Sequence, residues 1–225
     1  MNHEAVFFDM DGVTVDTASV WAEVEREHVL PNALDTSATE EVRAEALEAV
    51  RGQNVNDVYD TLVSMGGVRL TVDRSGFDAL YAEKGEYVYS DATLMEGYRD
   101  MLSSLVSDGR HVGIVSASRR AWVEMVLDRF DLRGAFDAVV SADDIDGPSK
   151  PDPTTYRQAA EEVGVVPERA VAVEDSPHGI AAAVGAGMRC VAYLDEGERA
   201  EADLSSAHGS VGTPSELRRL ILDGV

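Results

Sequence analysis

One cysteine and two lysines are all that 225 residues contain of those side chains. A lone thiol cannot close an internal disulfide, and the apolar run Cys190-Val191-Ala192-Tyr193 around it predicts a buried core thiol rather than a reactive one. No apolar run approaches the length of a bilayer span, so a membrane-spanning helix is excluded. Met1-Asn2-His3-Glu4 has no basic region, and the apolar run behind it is too short for a signal peptide. A cytoplasmic protein with no membrane partner is expected. Positive charge is scarce too: 42 acidic residues face 19 basic ones, a net charge of −23, and the only lysines are Lys84 and Lys150. So negative a surface repels phosphate backbones instead of displacing their counterions, which argues against a nucleic-acid partner. The acids are scattered as single charges and short pairs, as on solvated faces, and form no acidic tail. Acid excess with little lysine is the composition expected of a halophilic protein, whose self-repulsion dense salt screens. Internal repeats and low-complexity segments are absent.

The 44% hydrophobic content supports an ordinary core, in one large domain or two small ones. Val6-Phe7-Phe8 reads as a buried parallel strand. From 18 to 91 the pattern is helical. Val20, Trp21, Val24 and His28 lie at helical spacing, with Pro31 marking the end of that segment. Ser37 with Glu40 forms a capping-box pattern ahead of Val42, Ala46, Leu47 and Val50. Val55, Val58, Tyr59, Leu62 and Val63 make a third stripe, closed by Gly66-Gly67, and Phe77, Leu80, Tyr81, Tyr87 and Val88 a fourth. About 75 residues directly after a strand are too many for a βα loop. The expected division is a core of residues 1–16 and 92–225 and a helical cap domain of 17–91. From Gly97 helix and strand alternate, as in a parallel sheet covered on both faces. Tyr98, Met101, Leu102, Leu105 and Val106 face a core, strands are expected at 111–115, 136–140, 170–173 and 189–194, and helices between them. Thr213-Pro214-Ser215-Glu216 caps a last helix. The fold class is α/β, a Rossmann-like parallel sheet with an inserted helical cap.

Polar residues collect at the strand ends. Asp9 and Asp11 follow the first strand. If the extended conformation persists, they project to one side at the carboxyl edge, where open α/β sheets bind ligands, and Gly12 then lets the chain turn. Asp-x-Asp-Gly is also ordinary turn chemistry, but an EF-hand loop is disfavoured because its glycine stands at the sixth position and Gly12 is the fourth. Ser116-Ala117-Ser118 ends the strand at 111–115, where hydroxyl and backbone N–H groups can take an oxyanion or simply cap a helix. Ser118 reads as the cap, whereas Ser116 is open to either role. Lys150 sits in a proline-stiffened loop as a fixed charge or a solvated lysine, and the avoidance of lysine elsewhere favours the former. Glu174-Asp175 ends the strand at 170–173. Asp175 is either a helix N-cap or, with Asp9 and Asp11, a ligand of one hard divalent cation, for which magnesium fits best. His178 has no partner at ligand spacing and, like the other histidines, reads as a surface or packing residue. Four carboxylates gathered at one sheet edge need cations, and Lys150 and magnesium would supply them.

These motifs, Asp9-Met10-Asp11-Gly12-Val13, Ser116, Lys150 and Glu174-Asp175, come in the order seen in haloacid dehalogenase-like hydrolases, and nearly the whole chain resembles that family's phosphatase and phosphoglucomutase branch. The resemblance implies that Asp9 is a nucleophile forming an aspartyl-phosphate and that Asp11 is the acid and then the base. It implies that Asp9, Asp175 and the Asp11 carbonyl hold Mg2+, with Glu174 a ligand or close neighbour, and that Ser116, Ala117 and Lys150 hold the phosphate. The expected function is hydrolysis of a small phosphomonoester, a sugar phosphate or phosphoglycolate-like metabolite, by a monomer or weak homodimer. A dehalogenase is disfavoured because that chemistry does without an acid at Asp11. A β-phosphoglucomutase-like phosphotransferase and a non-catalytic binding module are the alternatives. The mutase pattern has a histidine where Trp21 stands and a cap arginine where Val55 stands. Arg51 lies close enough to substitute and would bind the far end of a substrate.

Overall fold

The N-terminal apolar run forms β1 (Ala5–Phe8), whose four side chains are all buried. The computed structural model describes residues 3–50, 55–194 and 206–223. Along the chain follow β2 (Val15–Asp16), α1 (Ala18–Val24), a π-helical turn Glu25–Val29, α2 (Leu30–Ala33), α3 (Glu40–Val50), α4 (Val55–Ser64) and α5 (Arg74–Asp91). Next are β3 (Thr93–Leu94), α6 (Tyr98–Ser107), β4 (His111–Val115), α7 (Arg120–Arg129), β5 (Ala138–Val140), α8 (Thr154–Glu162) and β6 (Ala170–Glu174). The chain closes with α9 (Pro177–Ala186), β7 (Arg189–Tyr193), β8 (Gly209–Val211) and α10 (Pro214–Asp223). It divides into two compact units, Met1–Asp16 with Thr93–Val225, and Thr17–Ala92. No helix among the described residues is long and apolar enough to cross a membrane.

The first unit is an α/β, Rossmann-like domain. Its main sheet is parallel, in the order β5-β4-β1-β6-β7-β8. β1 lies between β4 and β6, with Phe8 opposite Ile114 and Val173, so the carboxyl ends of these three strands open at one edge. Gly113 on β4 makes room for the Phe7 ring: a Cβ there would lie 2.7 Å from Phe7 Cδ1. The small residues Ala182, Ala183 and Ala186 let α9 pack into the core that holds Phe7, Tyr156 and Cys190. Cys190 is fully buried, and burial together with the Glu174 charge holds its thiol well above the usual range. A separate antiparallel ribbon pairs β2 with β3.

The second unit is helical. Its core holds Val58, Leu62, Phe77, Tyr81, Val88 and Tyr89, with Trp21 packed on the Tyr81 and Tyr89 rings. Pro31 does not end the first helical run, which continues to Ala33. The wide turn Glu25–Val29 precedes it, with the Leu30 N–H reaching back to the Glu25 carbonyl. Displacing the regular ladder there relieves the conflict between a proline ring and the carbonyl four residues earlier. Ser37 is not the cap of α3. Its N–H and hydroxyl turn to Asp35, and Thr39 Oγ1 accepts the Val42 N–H at 3.4 Å. Val63, Tyr87 and Val106 are about half exposed although sequence spacing places them inward. Each stands one position from a buried residue, about 100° round the helix and beyond the buried stripe.

Candidate active site

The extended run stops at Phe8, so Asp9 and Asp11 do not alternate along a continuing strand. The Asp9 N–H still bonds the Val173 carbonyl at 3.0 Å, and the chain then curls: the Thr14 and Val15 N–H groups both donate to the Met10 carbonyl at 2.9 Å, and that of Gly12 to the Val15 carbonyl at 2.8 Å. Gly12 has φ +76°, and a Cβ on it would lie 1.9 Å from Asp175 Oδ2. Glycine is therefore required twice, for the backbone and for the approach of the carboxylate.

Lys150 spans the ends of three strands. Its Nζ donates to Asp9 Oδ1 at 2.7 Å after β1, to the Val115 carbonyl at 2.9 Å on β4 and to Glu174 Oε1 at 2.6 Å on β6. These three bonds use the three ammonium protons. Lys150, Asp9 and Glu174 are all buried. Glu174 Oε1 also accepts from the Tyr156 hydroxyl at 2.6 Å, and Gly179 leaves room for this carboxylate, since a Cβ there would fall 1.9 Å from Oε2. Burial works against the Lys150 charge, but Asp9 and Glu174 hold the ammonium above the usual lysine range.

Asp175 completes an acidic group: Asp9, Glu174 and Asp175 each present an oxygen within 4.8 Å of the others. Asp175 does not cap α9, because Ser176 does so, its Oγ accepting the Gly179 N–H at 3.1 Å. Burial pushes Asp9 up to about 7, with Lys150 opposing and Glu174 and Asp11 adding to the rise. Burial and then the Asp9 and Glu174 charges push Asp175 well up. Carboxylates crowded to this degree lack positive charge, and their oxygen-only donor set suits a hard divalent cation. The residues present fit a divalent metal.

Asp11 is half-buried and accepts from Ser118 Oγ at 2.8 Å. Ser118 is thus not the cap of α7, whose first N–H, from Arg120, goes to Asp143 Oδ2 at 2.8 Å. Ser116 is buried. Its N–H extends the sheet to the Val140 carbonyl at 2.9 Å, and its Oγ accepts the Ser118 N–H at 3.0 Å. Ala117 is half-buried between them. His178 is exposed, and Arg51 lies outside the described residues. Sequence reasoning missed the Ser118 contact to Asp11 and the Tyr156 contact to Glu174. Ser118 carried a helix-start signal that concealed it, and Tyr156 is indistinguishable from a core residue in the pattern of α8.

Comparison with known proteins adds a lineage to this geometry. The profile of a family described as haloacid dehalogenase-like hydrolase matches residues 6–193. Hexitol phosphatase B of Escherichia coli (strain K12) is 31% identical over 187 residues, covering 83% of this chain and 82% of that protein. Validoxylamine A 7'-phosphate phosphatase of Streptomyces hygroscopicus subsp. limoneus is 28% identical over 214 residues, 90% of this chain and 92% of its own. Among solved structures, a mutant of CbbY from Rhodobacter sphaeroides in complex with xylulose-(1,5)bisphosphate superposes with a TM-score of 0.77 at 24% identity, covering 96% of each chain.

Proposed function

The chain belongs to the haloacid dehalogenase-like hydrolase family and is a phosphatase, and we propose that it dephosphorylates a small phosphorylated sugar through an aspartyl-phosphate on Asp9. The observation that carries this reading is the buried Lys150 ammonium bonded to both Asp9 and Glu174, with Asp11 two residues beyond on the same loop. In the first step an Asp9 oxygen attacks phosphorus, the bond to the sugar oxygen breaks, and Asp11 gives that oxygen a proton. In the second, water attacks the acyl phosphate, Asp11 takes a proton from it, and the Asp9 carboxylate leaves phosphorus. Ser118, donating to Asp11 Oδ2, steadies the acid and base group. Ser116 and Ala117 would hold phosphate oxygens, and Lys150 would neutralise charge beside the nucleophile. Asp9, Asp175 and the Asp11 backbone carbonyl would hold a divalent cation, which we read as Mg2+; when bound it offsets phosphoryl negative charge. Glu174 Oε1 already serves Lys150 and Tyr156, which supports a role in orienting the lysine.

The names of the relatives favour sugar phosphates, with Arg51 as the proposed contact to the far end of the substrate. Trp21 and Val55, where mutases carry a histidine and an arginine, favour hydrolysis over phosphoryl return. The test is a panel of hexitol and hexose phosphates, including β-glucose 1-phosphate with its bisphosphate primer. Free phosphate should be released with magnesium and fall to background in excess chelator. Conversion to glucose 6-phosphate with little phosphate released, or full activity in chelator, would overturn the reading.

The net charge of −23 supports adaptation to dense salt. In a thermal melt across potassium chloride, the melting temperature should rise toward molar salt; a flat or falling trend would contradict this.

A further inference from the structure

We propose that Tyr98 and Thr14 are positioning residues that hold the Asp9 backbone through a relay of two buried hydroxyls. The inference rests on the reading of Asp9 as the nucleophile. Thr14 Oγ1 lies 2.7 Å from the Asp9 carbonyl oxygen and 2.9 Å from the Tyr98 hydroxyl. A threonine hydroxyl has one proton, and a carbonyl oxygen can only accept. Thr14 therefore donates to Asp9, and Tyr98 must donate to Thr14. The chain runs in one direction, Tyr98 to Thr14 to Asp9, and each bond polarises the next. Burial holds the Tyr98 phenol well above its usual range, so it keeps the proton that the relay needs.

The placement is costly unless it serves a purpose. Thr14 is fully buried and Tyr98 is 1% exposed. Hydroxyls in such a place are unfavourable unless bonded, and Val and Phe would fill the same space without polar atoms. Tyr98 opens α6 directly after Gly97, whose left-handed φ of +71° turns the chain into the helix. Its ring packs in a T-shaped pair with Phe8, centroids 5.3 Å apart, so one side chain contacts both the residue before Asp9 and the hydroxyl that holds its carbonyl. The loop is tied to the same segment a second time, where the Met95 N–H donates to the Thr14 carbonyl at 3.0 Å. On the other side, Lys150 fixes the Asp9 carboxylate. With the carbonyl and the carboxylate both held, little rotation is left to the nucleophile, and in-line attack is sensitive to its aim.

The test uses Tyr98→Phe, Thr14→Val, the double variant and Thr14→Ser, with glycerol 3-phosphate as probe because its poor leaving group makes the attack slow. All are assayed at a temperature where circular dichroism shows each fully folded. In Tyr98→Phe kcat should fall about tenfold and in Thr14→Val on the order of a hundredfold, with KM moving less than about twofold. The double variant should be no worse than Thr14→Val, and Thr14→Ser, which keeps the hydroxyl, should stay near wild type. Wild-type kcat in both Tyr98→Phe and Thr14→Val would overturn the relay if Asp9→Asn is inactive, as would additive losses in the double variant or a Thr14→Ser as poor as Thr14→Val. Turnover retained by Asp9→Asn would overturn the nucleophile assignment, and the relay with it.

Discussion

Lys150→Met should cost about 3–5 kcal/mol of stability and remove phosphatase activity, because it deletes the one ammonium that the buried carboxylates Asp9 and Glu174 share. Methionine roughly keeps the length and the packing against the Tyr156 ring, so the loss reports charge more than volume. Both carboxylates would stay in a site with almost no access to water. The loss also has a pH dependence of known sign. Asp9 already has a folded pKa of about 7, above the ordinary carboxylate value, through burial and its acidic neighbours and despite Lys150. Removing the ammonium raises it further. A group whose folded pKa is raised contributes stability that is complete below its unfolded pKa and is lost as pH rises through the folded one. The deficit of Lys150→Met relative to wild type should therefore be nearly level from about pH 5 to pH 7 and grow from about pH 7 to pH 9, above the wild-type folded value. Urea unfolding of both proteins in chelator across that range measures it. A deficit that is constant, or that grows toward acid, would mean that the carboxylates do not depend on the ammonium.

The sequence makes one part of this site legible and hides another, for a physical reason. Asp9, Ser116, Lys150 and Glu174-Asp175 follow apolar runs, or stand out by scarcity, and a parallel sheet gathers strand ends at one edge whatever its order. The partners of each group depend on that order. Lys150 reaches Asp9 because β1 lies between β4 and β6, an arrangement of segments more than a hundred residues apart. Ser118 touches Asp11 for the same reason, while its local pattern reads as a helix start. The Pro31 and Ser37 expectations failed differently. Both rested on local rules that a π-helical turn and a competing Asp35 side chain set aside. Thr14 gave a weak signal as a lone polar residue between Val13 and Val15, and its meaning appears only with Tyr98 beside it.

Asp9→Asn should lower phosphatase turnover by at least about a thousandfold while leaving the fold intact. An amide oxygen can still accept from Lys150, but it is a poor nucleophile and a weak ligand for a hard cation. Removing one negative charge from so crowded a group should hold or raise the melting temperature, so lost activity cannot be ascribed to unfolding. The central claim is that phosphorus is bonded to Asp9 during turnover, and it is tested most directly by quenching the working enzyme in acid, reducing the acyl phosphate with borohydride and locating the reduced residue by mass spectrometry. The account predicts reduction at Asp9 in the wild-type protein and none in Asp9→Asn. Near wild-type turnover in Asp9→Asn, or the phosphoryl group on another residue such as Ser116, would contradict it.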